Sequence, residues 1–479
     1  MNGKNIWFHL IIALVFVSLA AIVGQMVRWS SESRYYPPTP KVTNSRGTEV
    51  PMKGITISRS ANDSEPEVLV RFKPNVSPAD IKKLVAKNND EVEDNIEAVN
   101  GLVAIDDLDN KSAKTVAEQY AKLTDLVDYA EENIQIKLDP QEGRQDFSEN
   151  YDFNAEAVPN DPMFAEQWAL KNEGQNGGKS KADISAVEAW KKTKGSKKVV
   201  VAVLDTGVDY NHQDLATNMW FRPENIPAYK DAELGTINDI NGFDADAKLQ
   251  DPMDDNGHGT HCAGVIGAEG DNSEGIAGVN WEVQIMPLKF LSRGGFGSTK
   301  NAIEAINYVI DRKRAGVNIR IVSNSWGSTA KSKALGDVIK AAGEEGILFI
   351  AAAGNEGSDN DSRPHYPSNY DLPNMVSVAA LDRNDNLASF SNFGVKTVHV
   401  AAPGTDIMST WLNAGYREAS GTSMATPYVS GVAALIVAQN PDISVEKLRE
   451  KLVNSVDKLD SLNGKIKSGG RINAAKAVK

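Results

Sequence analysis

From residue 65 onward the apolar positions fall into groups with two different periods. Val68-Leu69-Val70-Arg71-Phe72 reads as a strand. Ser77-Pro78 then opens a helix, with serine at the cap, proline in the first turn, and Ile81, Leu84 and Val85 on one face. Glu91 to Ile96 is expected as a second strand and Gly101 to Ile105 as a third. Ser112 to Leu123 has the helical period. Val127 to Ala130 leads into a last strand over Asn133 to Leu138. The order β-α-β-β-α-β predicts a small α+β, ferredoxin-like sandwich over residues 65–138.

Beyond residue 160 the pattern changes. Val199–Leu204, Gln284–Leu288, Ile319–Val322, Ile347–Ala353, Met375–Ala380 and Val398–Ala402 are almost continuous apolar runs. Such runs fit parallel strands buried on both faces. Helical stretches such as Thr299–Arg314 and Lys333–Glu345 alternate with them, so residues 160–479 predict an α/β domain with a doubly wound, mostly parallel sheet. Residues 30–64 are polar and rich in Pro, Ser and Thr, and read as a flexible linker. Residues 139–159 are acidic and read as a second linker. Over residues 1–29, Lys4 precedes an apolar run from Ile6 to Val23. That is the pattern of a signal peptide, and its length also suits a membrane anchor. Either reading implies export to a secreted, periplasmic or envelope-anchored location.

Composition narrows the function. Hydrophobic residues are 41% and charged residues 24% of the 479, ordinary values for a globular chain. The net charge of −13 opposes nucleic-acid binding through a general field and suits hard cations better. The single cysteine, Cys262, excludes an intramolecular disulfide, so rigidity in an exported protein must come from elsewhere.

Ligands bind beyond the carboxyl ends of strands in such sheets. Val201 to Leu204 runs into Asp205-Thr206-Gly207. Leu348 to Ala353 runs into Gly354-Asn355-Glu356-Gly357. Gly421-Thr422-Ser423-Met424-Ala425-Thr426-Pro427 opens a long apolar helix, with Pro427 expected in its first turn. Asn256-Gly257-His258-Gly259-Thr260-His261 precedes another helical run. Ser423 thus falls near the positive end of a helix dipole. The chain order Asp, His, Ser differs from those of α/β-hydrolases and chymotrypsin-like enzymes.

With these motifs the chain resembles the subtilisin-like serine proteases. The matching segments are Asp205–Asp209, His258–Gly264, Asn324–Gly327, Ala351–Asn355, Ala388–Asn392, Ala402–Gly404 and Gly421–Pro427. The resemblance implies an endopeptidase acting on protein or peptide substrates. Ser423 would be the nucleophile, His258 the general base, Asp205 its orienting carboxylate, and Asn355 the oxyanion donor. Gly295 and the segment Ser325, Trp326, Gly327 would pair with an extended peptide. Ala352, Ala353 and Gly354 would line the S1 pocket, with Glu356 at its rim. The family's small residue at the pocket base corresponds here to His365, before Tyr366-Pro367, which leaves the P1 preference open. Asp161, Asp214 and Asn272 match calcium ligands, implying a structural Ca2+. His261 reads as a packed residue, and Cys262 as a small buried residue behind His258 rather than a nucleophile.

Between Asp205 and His258, the insertion carrying Asp231, Asp239, Asp244, Asp246, Asp251, Asp254 and Asp255 reads as a solvated acidic loop. Phe72-Lys73-Pro74 and Tyr129–Asn133 give residues 65–138 a weaker similarity to the subtilisin propeptide. That similarity implies an intramolecular inhibitor removed by a cut between about 138 and 160. The expected assembly is a monomer. The alternatives are an idle, peptide-binding relative and a serine lipase or esterase, which the chain order opposes.

Overall fold

The computed structural model describes the two-residue strands Val42–Thr43 and Glu49–Val50, and residues 67–139, 158–231 and 233–479. The apolar segment 6–23, most of the linker 30–64 and most of the segment 139–159 lie outside the described residues. Among those described, no helix is long and apolar enough to cross a membrane. Residues 65–479 form one compact unit.

The N-terminal module follows the expected order. Strands β1 (Val68–Phe72), β2 (Asp90–Asn95), β3 (Leu102–Asp107) and β4 (Val127–Glu132) make an antiparallel sheet in the order β2-β3-β1-β4. Helices α1 (Pro78–Lys87) and α2 (Ala113–Ala121) cross one face. Each starts where a serine accepts a backbone N–H, Ser77 from Asp80 and Ser112 from Thr115. Ile81, Val85, Val116 and Tyr120 pack there against Val68, Val70 and Phe72. The opposite face carries Leu69, Leu102 and Ala104 into the core of the large domain.

The last strand differs from expectation. The fourth strand of the sandwich is Val127–Glu132, not 133–138. The chain leaves that sheet at Asn133, and β5 (Gln135–Lys137) pairs antiparallel with β9 (Phe296–Ser298). Asn133 decides the switch, because its Oδ1 accepts the amide of Lys300 at 3.0 Å, at the start of helix α4 (Thr299–Arg314). Glu131 treats the next helix, α5 (Lys333–Glu344), in the same way. Its carboxylate accepts from Lys333 N at 2.9 Å, Ala334 N at 3.1 Å and Ser332 Oγ at 2.5 Å. The module is therefore docked by placing acceptors on the free N–H groups of two helices.

The large domain is built on a nine-stranded sheet. In chain order its strands are β6 (Gly195–Asp205), β7 (Phe243–Asp244), β8 (Glu282–Lys289), β10 (Ile319–Asn324), β11 (Leu348–Ala352), β12 (Met375–Leu381), β13 (Val400–Pro403), β14 (Val456–Lys458) and β15 (Gly470–Ile472). Their spatial order is β7-β8-β6-β10-β11-β12-β13-β15-β14. Every pairing is parallel except the last. Residues 199–205 are buried throughout, as a strand covered on both faces must be. Helix α6 (Thr422–Gln439) runs through one layer with residues 422–437 all buried, packed on α3 (His258–Gly267). Because α6 begins at Thr422, Pro427 lies in its second turn rather than its first, a correction with a consequence below.

The acidic insertion is also corrected. Asp231, Asp239, Asp244 and Asp254 are buried. Asp239 pairs with Arg222 at 3.1 Å and Arg312 at 3.3 Å and accepts from Tyr308 Oη at 2.8 Å. Asp244 accepts the amides of Asp246 and Ala247. The segment folds inward because each carboxylate finds donors, which composition alone does not reveal.

Candidate active site

Asp205 ends β6, His258 begins α3 and Ser423 is the second residue of α6, so three elements converge at the carboxyl edge of the sheet. His258 Nδ1 lies 2.7 Å from Asp205 Oδ1, with both side chains buried. Burial pushes the His258 pKa down. The Asp205 carboxylate outweighs it and the net shift is upward, with Asp254 and Asp139 adding to the rise. His258 Nε2 has no hydrogen-bond partner among the described residues. Ser423 Oγ donates instead to the carbonyl of Ser325 at 2.9 Å.

Pro427 has no N–H to give the Ser423 carbonyl, which is its i−4 acceptor. That oxygen is taken up by Ser325 Oγ at 2.8 Å and by the Cys262 thiol at 3.6 Å. Cys262 is buried and its pKa is pushed up by burial, so it packs behind His258 as an inert thiol. His261 is fully buried with Nε2 near the carbonyls of Ile407 and Arg417, and burial beside His258 drops its pKa to about 3.

Asn355 is held by its own oxygen. Asn355 Oδ1 accepts from Thr422 N at 2.8 Å and Thr422 Oγ1 at 2.9 Å, which turns Nδ2 outward. That Nδ2 donates to Asp139 Oδ2 at 2.8 Å. The tail of the N-terminal module thus lies in the groove. Ile136 stands opposite Gly297, Leu138 N donates to Gly295 O at 2.8 Å, and Asp139 shares a pocket with Ser325, Trp326, Gly327, Ala352, Gly354, His365 and Ser423. Glu356 sits half-exposed beside it, its Oε2 accepting from Asn392 Nδ2 at 2.6 Å. Ala353 does not line the pocket. Its side chain is buried with Leu381 and Val398, because successive strand residues face opposite ways.

Three supporting residues escaped the sequence reading. Asp254, assigned to a solvated loop, accepts from Thr206 Oγ1 at 2.9 Å and Thr260 Oγ1 at 2.6 Å, clamping the turn before His258. Thr422 orients Asn355. Asn392 Oδ1 accepts the amides of Glu356 and Ser358, fixing the pocket loop. Asn392 and Thr422 lay within recognised motifs, but nothing in those motifs marked them as supports.

Asp161, Asp214 and Asn272 meet away from this groove. Asp214 Oδ1 accepts from Asn272 Nδ2 at 2.8 Å, and its Oδ2 from Ile276 N at 2.9 Å. Asp161 Oδ2 accepts from Asp271 N at 2.7 Å, while its buried Oδ1 has no hydrogen-bond partner among the described residues. Burial, with Asp214 adding repulsion, raises the Asp161 pKa to about 6. Two buried carboxylates with an orphaned oxygen suit a hard cation.

Comparison with known proteins agrees with this geometry. The model of the subtilase family matches residues 196–469. Thermitase of Thermoactinomyces vulgaris is 36% identical over 321 residues, covering 67% of this chain and 99% of that protein. The thermophilic serine proteinase of Bacillus sp. (strain AK1) is 37% identical over 330 residues, 69% of this chain and 71% of that one. A solved structure described as proteases from Pseudoalteromonas arctica superimposes with a TM-score of 0.54 at 28% identity, over 67% of this chain and 98% of that chain. The chain belongs to the subtilase family and is a serine endopeptidase.

Proposed function

We propose that Asp205, His258 and Ser423 are the catalytic triad of an exported protease made as a self-processed zymogen, with residues 65–138 as its propeptide. Ser423 Oγ turns from the Ser325 carbonyl to His258 Nε2 and attacks the scissile carbonyl. His258 takes its proton and passes it to the leaving amine. Water then hydrolyses the acyl-enzyme by the same route in reverse. Asp205 holds the imidazole tautomer, and Asn355 Nδ2 with the Ser423 N–H stabilises the oxyanion. Gly295, Ser325, Trp326 and Gly327 hold the substrate strand, and Ala352 and Gly354 form the S1 wall with Glu356 at its rim.

The single observation carrying this reading is the 2.7 Å Asp205–His258 contact at the end of a groove already filled by the chain's own residues 135–139. A strand added to the groove's edge blocks the site until it leaves. Asp161, Asp214 and Asn272 are proposed to hold a structural Ca2+, which would neutralise the buried carboxylate pair and lock the loop at Asn272. The bound ion supplies stability, not chemistry.

Intact mass of wild type and Ser423→Ala, expressed side by side, tests the proposal. Wild type should lose its first ~140–160 residues by a cut in the segment before Asn160-Asp161-Pro162, and the variant should keep residues 65–138. If both emerge uncut, self-processing by Ser423 is refuted and the idle, peptide-binding alternative gains.

A further inference from the structure

In the active-site reading above, the residue before the scissile bond places its side chain in the pocket lined by Ala352, Gly354, Asn355, His365 and Ser423. His365 forms its floor. The imidazole is buried, and it lies so close to Gly327 that a Cβ built on that glycine would meet Cε1 at 1.9 Å. A Cβ on Gly354 would meet the same ring at 2.9 Å. The ring therefore fills the space that Gly327 clears and borders Gly354, where a Cβ would meet Asn392 Nδ2 and Glu356 Oε2 first. The ring is also fixed from behind, since the His365 amide donates to Asn369 Oδ1 at 3.1 Å and its carbonyl accepts from Ser368 Oγ at 2.7 Å.

With Asp139 seated, the space left in the pocket is about 10 Å³, roughly one water. A four-atom side chain thus nearly completes it, and an aromatic ring would have to displace His365. The polar character of the floor points the same way. His365 Nδ1 is buried without a hydrogen-bond partner among the described residues, and Nε2 is 4.0 Å from Glu356 Oε1. Glu356 is drawn toward Asn392 at the rim, leaving the imidazole as the group at the bottom. Burial lowers the His365 pKa, with Glu356 and Asp139 pulling the other way, so the floor is a neutral imidazole that can still donate one hydrogen bond.

We propose that His365 is a specificity-determining residue that closes S1, restricting this protease to cleavage after short side chains, with carboxylate and carboxamide residues such as Asp and Asn among the best. This inference rests on the active-site reading above. It departs from the sequence expectation, which left the P1 preference open.

The test uses the full chain after self-maturation. Casein hydrolysis, present in wild type and absent in Ser423→Ala, first establishes the active site independently. Tripeptidyl p-nitroanilides of the form Ala-Ala-X, with X as Asp, Asn, Ala, Phe or Arg, are then compared by kcat/KM. Wild type should cleave after Phe and Arg at least ~10-fold less well than after the best short residue. His365→Ala should raise the Phe-to-Ala ratio ~10–100-fold, the range a changed apolar pocket supplies. A merely structural role would lower all substrates together and leave the ratio fixed.

Three results overturn the proposal while leaving the active-site reading intact. They are a wild-type preference for Phe, a preference for Arg that Glu356→Gln abolishes, or an unchanged Phe-to-Ala ratio in His365→Ala. If His365→Ala does not accumulate, the wild-type panel decides alone. Failure to cut casein refutes both readings.

Discussion

Glu131 offers a measure of what holds the N-terminal module in place. Its carboxylate accepts from Lys333 N, Ala334 N and Ser332 Oγ, across the boundary between module and protease domain. Replacing it with alanine removes a helix N-terminal acceptor, about 1 kcal/mol, and a negative charge at the positive end of the dipole, roughly 0.3–1 kcal/mol. Helix α5 keeps a cap of its own, because Ser332 Oγ accepts from Leu335 N at 3.0 Å. The loss therefore falls on docking rather than on the helix. About 2 kcal/mol corresponds to roughly thirtyfold in the docking equilibrium. Wild type and Glu131→Ala are matured in parallel, then diluted, and peptidase activity is followed as the cleaved module dissociates. The concentration at half-release should rise ~30-fold in the variant, with Glu131→Gln in between. An unchanged midpoint, with unchanged thermal unfolding of the mature enzyme, would refute the reasoning.

Three further outcomes are expected. Asn355→Ala should lower kcat by ~10²–10³ with little change in KM, as the loss of one oxyanion donor does; a loss confined to KM would remove Asn355 from the transition state. Docking should weaken as pH rises. Burial raises the pKa of Glu93 and Glu97 on the module and of Glu304 on the protease, three groups set against Asp94, whose own pKa is lowered despite its burial. The docked state thus binds more protons, so its stability is full below the ordinary carboxylate pKa of ~4.3 and is lost as pH climbs through the raised values. Size exclusion of the cleaved pair at pH 5 and pH 8 checks the sign. Chelation should destabilise the mature enzyme by about 2.7 kcal/mol if Ca2+ stands at ~100 times its Kd. The Asp161→Asn, Asp214→Asn double variant should melt at a temperature indifferent to chelator.

Much of this was readable from the chain because of how parallel sheets are built. Strands buried on both faces appear as apolar runs, and Asp205 and Asn355 follow the ends of such runs while Ser423 opens the long apolar helix. Thr299–Arg314 matches the expected helix residue for residue, since Ser298 caps it and its basic last turn ends it. What stayed hidden depends on distant partners. The strand at 135–137 could not be assigned while its partner lay some 160 residues away. Asp239 of the insertion looked solvated because two of its donors, Arg312 and Tyr308, come from another helix. Ala353 differs from Ala352 and Gly354 only in the side of the strand it faces. The turn of the Ser423 hydroxyl toward Ser325 leaves no trace in residue type at all.

Pro427 joins two parts of the machine that could otherwise move apart. By withholding one N–H, it frees the Ser423 carbonyl to accept from Ser325 Oγ, while Ser423 Oγ donates to the Ser325 carbonyl. The nucleophile and the strand end that grips the substrate are therefore laced by two reciprocal bonds, like a tool and its workpiece held in one jig. When Ser423 Oγ turns to His258 for attack, the Ser325 Oγ bond to the Ser423 carbonyl remains, so breathing of the cleft still carries the nucleophile and the substrate strand together.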